Sequence, residues 1–177
     1  MQLLTTNLHL VDAMPSRHGL AIYSPAAGVV HPLSLSPHPA AAQGFLGAGI
    51  TLQLQGNQLK APFDGLWSYH DRCGQHLMLQ HPNGLRFIML FPPVCLDHHG
   101  IGFEWHVPSQ TTVQRGQTLL TFDCALMTQW QKPFLLTLLL PQHEKFQHIS
   151  CRPVYHDALH DLLFLLEAHP TQHGTSA

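Results

Sequence analysis

The sequence is poor in charged residues and contains no cluster of basic ones. Charged side chains make up 10% of the 177 residues, whereas about 25% is usual for a soluble domain. The 8 lysines and arginines are scattered along the chain. Proteins that bind nucleic acids group such residues to neutralise phosphates, so this composition argues against a nucleic-acid partner.

The sequence also lacks a long apolar run and closely spaced cysteines. No stretch reaches the ~18 residues that a membrane-spanning helix needs, and the chain does not open with a basic segment followed by an apolar one, as a signal peptide does. The cysteines are far apart, and they are Cys73, Cys95, Cys124 and Cys151. These absences predict a cytoplasmic protein with free thiols that does not span a membrane.

Short apolar segments separated by turn residues fill the chain from Leu20 onward. Gly49 to Leu54, His76 to Leu79 and Leu85 to Phe91 all have the length of strands. Asn83-Gly84, between the last two, is the dipeptide most typical of a tight β-hairpin. Strands of this length at regular spacing predict an all-β sandwich or barrel with few short helices.

The pattern divides the chain into three parts. We expect a leader over residues 1–19, one β-sandwich domain over residues 20–167 and a disordered polar tail over residues 168–177. Within the domain, residues 156–167 fit two structures. Their leucines can share one face of a helix, but Leu162, Phe164 and Leu166 also alternate as in a strand, so the period does not decide between them.

An ordered series of motifs runs from Ser24 to about Leu140 with essentially no gaps. Three of them are Ser24-Pro25-Ala26-Ala27-Gly28-Val29-Val30, Leu46-Gly47-Ala48-Gly49-Ile50 and the ten residues from Gly56 to Gly65. Later positions at matching spacing are Gly84, Gly100-Ile101-Gly102-Phe103, Val113-Gln114-Arg115-Gly116 and Phe122-Asp123. In these motifs the chain resembles the glucose-type enzyme IIA family of the bacterial phosphoenolpyruvate-dependent sugar phosphotransferase system. The resemblance implies a small, mostly antiparallel β-sandwich.

The resemblance also implies where chemistry would take place. In this family a strand histidine accepts a phosphoryl group from the histidine phosphocarrier protein and passes it to the sugar permease. Here Leu90 falls on the acceptor position, Gln75 on that of a supporting histidine and Cys73 on that of a threonine. His38 and Val94 fall on acidic positions that meet arginines of the phosphocarrier. Because leucine has no lone pair, the resemblance implies a degenerate member without catalysis at this position.

The other histidines leave two alternatives open. A working phosphocarrier could use a displaced histidine, and the candidates are His76, His98 and His99. A metal-binding protein is the second alternative, because His70, Cys73 and His76 follow one another at intervals of three residues and are all zinc-competent ligands. Apart from this possible zinc ion, no cofactor is expected.

An apolar patch provides the positive prediction about function. Ile88 and Leu90 share one face of a strand, and we expect Leu77 beside them and Val94 at the rim. The family docks several unrelated proteins on this face, and leucine in place of histidine makes it more apolar. The hypothesis is a non-phosphorylatable regulatory or protein-binding module, whose partners are phosphotransferase components or regulatory targets of the kind the family has.

Overall fold

The chain folds mainly into strands, joined by tight turns and a few short helices. The computed structural model describes residues 7–16 and 18–169. The strands are β1 (Leu8–Leu10), β2 (Leu20–Tyr23), β3 (Gly28–Pro32), β4 (Ala48–Leu54), β5 (Gln58–Lys60), β6 (Gly65–Tyr69), β7 (Leu77–Gln80), β8 (Arg86–Leu90), β9 (Phe103–Trp105), β10 (Thr111–Val113), β11 (Thr118–Phe122), β12 (Leu135–Leu140), β13 (Phe146–Cys151), β14 (Tyr155–His156) and β15 (Leu162–Ala168). The α-helices are α1 (Pro39–Ala42), α2 (Val94–Asp97) and α3 (Cys124–Trp130), and 3-10 turns cover Leu33–Leu35 and His143–Lys145. None of the helices in the described ranges is long and apolar enough to cross a membrane.

The strands form three sheets that share one core. The largest has the strand order β10-β6-β7-β8-β12-β4-β3-β14, the second β1-β13-β15-β2 and the smallest β5-β11-β9. Neighbouring strands are antiparallel except for β1 and β13, which are parallel. Buried side chains of all three sheets, such as Met89, Ile149 and Leu120, belong to one hydrophobic cluster. We call this cluster the main core. The three sheets confirm the all-β prediction.

Strand β12 accounts for the mainly apolar segment that begins near residue 135. All six of its residues, Leu135-Leu136-Thr137-Leu138-Leu139-Leu140, are buried. The strand pairs with β4 on one side and β8 on the other, so it lies inside the largest sheet. Alternate side chains point to opposite faces. Leu136, Leu138 and Leu140 therefore enter the main core, while Leu139 joins a smaller cluster on the opposite face.

The Asn83-Gly84 hairpin forms as predicted and sets the register of β7 against β8. Gly84 has a φ of +89°, in the left-handed region that glycine adopts at least cost. Its backbone N–H donates to the carbonyl of His81 at 2.8 Å. The turn places Leu77 opposite Met89 and Met78 opposite Ile88.

Residues 156–167 end in a strand and not in a helix. Strand β15 pairs with β13 on one side and β2 on the other. Its central residues Leu163, Phe164, Leu165 and Leu166 are all buried. A helix could bury only one of its faces here, whereas a strand between two partners buries both and satisfies its backbone groups.

Both ends of the domain extend past the predicted boundaries. Strand β1 lies within the range predicted as a leader, and it pairs with β13 in the four-stranded sheet. Ala168, expected at the start of the tail, is the last residue of β15. The part of the tail from residue 170 lies outside the described residues.

Candidate functional site

Leu90 lies at the end of β8, on the face of the sheet opposite the main core. Phe87, Met89 and Phe91 belong to the main core. Ile88 and Leu90 point the other way and contact a second apolar cluster. Its buried members are Ala41, Leu90 and Leu139, with Leu33 and Ile88 packed against them. Leu90 is only 5% exposed, so an apolar side chain that is almost closed off from solvent fills this end of the strand.

Residues 33–42, which we call the cover, close this face over Leu90. They comprise the 3-10 turn Leu33–Leu35 and helix α1. The Ser36 Oγ atom lies 2.7 Å from Thr137 Oγ1 on β12. The His38 Nε2 atom lies 2.8 Å from the carbonyl oxygen of Phe91. The two hydrogen bonds attach the cover to β12 and to the residue that follows β8.

The predicted apolar patch is not a continuous exposed surface. Leu77 is 0% exposed and belongs to the main core, so its place in the patch was wrong. The reason is the register, because Leu77 pairs with Met89, which faces the main core, and not with Ile88 or Leu90. Ile88 and Val94 are half-buried, and Val94 packs against the main core. Leu90 itself is covered by residues 33–42.

Gln75 lies in the loop before β7 and reaches the residues that follow Leu90. Its amide Nε2 is 3.2 Å from the carbonyl oxygen of Pro92 and 3.4 Å from those of Phe91 and Cys73. The structure thus brings Gln75 and Cys73 next to the end of β8. The Gln75 amide donates to backbone carbonyls, so its hydrogen-bonding capacity stabilises the loop.

His38 is a residue whose role the sequence did not indicate. As Nε2 is the donor to the Phe91 carbonyl, the lone pair of the neutral ring lies on Nδ1. Burial lowers the pKa of His38, and the hydrogen bond to Phe91 opposes this only in part. A neutral imidazole therefore attaches the cover beside Leu90 at neutral pH. No local motif marks this contact, because it joins residues 53 positions apart in sequence.

The histidines considered as displaced acceptors lie in three different settings. His98 stacks on Trp130 with ring centres 3.9 Å apart and planes 8° apart. His99 is exposed, with a left-handed φ of 53°. His76 is exposed and lies 5.6 Å from the ring of His70. Partial desolvation of the His76 ring and the nearby His70 lower the pKa of His76, and the carboxylate of Asp71 opposes this.

The metal hypothesis is not supported by the geometry. Across residues 7–16 and 18–169, no three His, Cys, Asp or Glu side chains are grouped so that they could hold a metal ion. His70, Cys73 and His76 are therefore not a ligand set in this structure. Ligands at intervals of three share a face only on a helix, and the residues between β6 and β7 form an irregular loop.

The thiols of this region are not activated. All four cysteines are free. Burial raises the pKa of Cys95 to about 12, with a further contribution from the charge of Cys73. Burial also raises the pKa of Cys73. Since the thiolate is the reactive form, neither sulfur is poised for nucleophilic catalysis at neutral pH.

Comparison with known proteins identifies the fold first. The structure is similar to glucose permease IIA from Mycoplasma capricolum, with a TM-score of 0.73, over 88% of this chain and 100% of the other. The two sequences are 16% identical, so this likeness shows the fold alone. It confirms the predicted antiparallel β-sandwich of the glucose-type enzyme IIA kind.

The sequence then identifies the family. The family model of the phosphoenolpyruvate-dependent sugar phosphotransferase system, EIIA 1, matches residues 20–146. The chain belongs to this family. It is 30% identical over 132 residues to the mannose-specific EIIBCA component of Corynebacterium glutamicum, and 30% identical over 128 residues to the glucose-specific EIIBCA component of that organism. These matches cover 75% and 72% of this chain, and the chain spans 19% of the length of each relative.

The lowered pKa of His38 predicts a loss of stability in mild acid. Between its ordinary value of 6.5 and the lowered folded value, the unfolded chain binds more protons, so the free energy of unfolding falls as the pH falls through that window. Glutamine at position 38 can still donate an amide N–H but does not titrate. We therefore expect His38→Gln to lose less stability than the unchanged protein between about pH 7 and about pH 5.

Urea unfolding at a series of pH values measures this difference. His99→Gln is the matched control, because it removes an exposed histidine of a loop. Identical pH dependence for His38→Gln and the unchanged protein would contradict the assignment of a buried neutral ring to His38.

Proposed function

We propose that this protein is an enzyme IIA-type component of the sugar phosphotransferase system that binds partner proteins in the cytoplasm without carrying a phosphoryl group. The observation that supports it best is the packing of Leu90 against Ala41 and Leu139 at 5% exposure. A phosphoryl acceptor must present a lone pair to a second protein, and Leu90 has neither a lone pair nor an open surface. Membership of the family supports the phosphotransferase setting.

The surroundings of Leu90 support the same proposal. Gln75, at the position of the supporting histidine, directs its amide to backbone carbonyls. His38 directs Nε2 to the carbonyl of Phe91. Catalysis of phosphoryl transfer depends on donors that are already aimed at the transferring group. In this site the neighbouring donors hold the cover and the loop in place.

Exposed apolar side chains next to the cover are the proposed binding surface. Phe45 and Leu46 follow α1 and are 69% and 42% exposed, and Leu96 on α2 is 51% exposed. The His38–Phe91 hydrogen bond joins the residue before α1 to a residue three positions before α2. Apolar side chains of this size favour a protein partner. The proposed partners are other phosphotransferase proteins, because enzyme IIA domains act by binding such proteins.

Intact mass spectrometry can test whether the chain accepts a phosphoryl group. Incubated with phosphoenolpyruvate and the upstream phosphocarrier proteins, the chain is expected to keep its unmodified intact mass, because position 90 offers no acceptor. A phosphorylation-competent enzyme IIA in the same mixture is the control that shows the upstream proteins are active. A gain of one phosphoryl group by this chain, at His38, His76, His98, His99 or any other histidine, would overturn the proposal.

The binding surface can be tested with two leucine variants. The labelled chain is titrated by NMR with the phosphocarrier HPr and, separately, with an EIIB domain. At least one of these two partners is expected to cause saturable chemical-shift changes. Leu96→Asp should weaken that binding about tenfold or more, since it places a charge in a contact that excludes water.

The matched control is Leu66→Asp, a leucine of β6 that is 36% exposed. It should leave the affinity nearly unchanged. If neither HPr nor the EIIB domain binds, or if both variants weaken binding equally, the proposed surface is wrong.

A further inference from the structure

An open groove of about 800 Å³ lies away from the Leu90 cluster. Its walls are the turn between β4 and β5, strand β9, the end of β11 and the first residues of α3. Phe103 lines it and packs edge-on against Phe91 with ring centres 4.8 Å apart. Leu90, the last residue of β8, and Phe91, which follows it, belong to clusters on opposite faces of the sheet. The groove lies on the side of Phe91, whereas the cover lies on the side of Leu90. The volume is within the range of small-molecule sites.

Backbone hydrogen bonds hold the walls together in the absence of a ligand. The N–H of Phe122 donates to the carbonyl of Asn57 at 2.9 Å, and the N–H of Asp123 donates to that of Gly102 at 2.9 Å. Gly102 has a φ of +91°, and a side chain there would lie 3.1 Å from the methyl carbon of Met127. The groove is thus preformed, which lowers the cost of ordering on binding.

The groove presents uncommitted hydrogen-bonding groups. Within the described residues, the side-chain amides of Gln55 and Asn57 take part in no hydrogen bond, and both residues are exposed. Glu104 uses Oε2 to accept from Thr121 Oγ1 at 3.4 Å, and Asp123 uses Oδ1 to accept from the N–H of Leu126 at 2.9 Å. The second oxygen of each carboxylate remains available to a ligand.

The chemistry of this lining defines the ligand. Amides both donate and accept, whereas carboxylates only accept, so together they match groups that both donate and accept, as hydroxyls do. The half-exposed ring of Phe103 adds an apolar surface against which the C–H groups of a ligand could pack. The two carboxylates, with no lysine or arginine lining the groove, disfavour a phosphate or carboxylate ligand. We propose that this groove binds a small, neutral, polyhydroxylated molecule of the sugar class.

Saturation-transfer NMR with glucose and maltose as probes tests this proposal on the full chain. Both neutral sugars are expected to receive saturation from the protein, and glucose 6-phosphate to receive less. The double variant Asn57→Ala/Glu104→Gln should weaken sugar binding about tenfold or more, as the loss of a charged hydrogen-bond partner does.

The matched control is Gln58→Ala/Glu144→Gln, which changes an exposed amide and an exposed carboxylate outside the groove. It should bind like the unchanged protein, and the amide spectrum of each variant shows whether it is folded. A lack of transfer to both neutral sugars, equal weakening in both double variants, or tighter binding of glucose 6-phosphate would each overturn the proposal.

Discussion

The apolar contact of Leu90 with Ala41 and Leu139 determines what this face of the molecule can do. In a site made for phosphoryl transfer, polar groups point at a reactive nitrogen and remain open to a second protein. Here an aliphatic side chain ends strand β8, and residues 33–42 close over it. Once the cover is in place, the polar groups around it are best satisfied by backbone carbonyls, as the contacts of His38 and Gln75 show. The apolar side chain of Leu90 and the closed cover therefore form one structural unit.

The closed Leu90 cluster and the exposed apolar residues of the domain suit different functions. The sandwich is that of a family that relays phosphoryl groups, yet the exposed apolar residues Phe45, Leu46 and Leu96 lie outside the closed cluster. Such a surface can serve recognition without any chemistry, because docking depends on shape and apolar area and not on a lone pair. The polar groove near α3 is a separate feature, since it opens on the other side of β8.

The strands were predictable where local signals agree, and the site was not. The Asn83-Gly84 turn fixed the β7–β8 hairpin, and ordered motifs were enough to place Leu90, Gln75 and Cys73 in one region. Leu77 was assigned to the wrong face because its neighbour across the sheet depends on the register and not on its own alternation. The cover could not be foreseen either, since His38 and Ser36 find their partners at distances of 53 and 101 residues along the chain. The structure of residues 156–167 could not be predicted without knowing that a strand lies on each side of them.

The most direct test of this account is the environment of the Leu90 methyl groups. In a methyl-labelled sample, nuclear Overhauser contacts from Leu90 to Ala41 and to Leu139 should be strong, and a soluble paramagnetic probe should broaden Leu90 far less than the exposed Leu96. If those contacts are absent and the probe broadens Leu90 as much as Leu96, the site is open and the account is wrong.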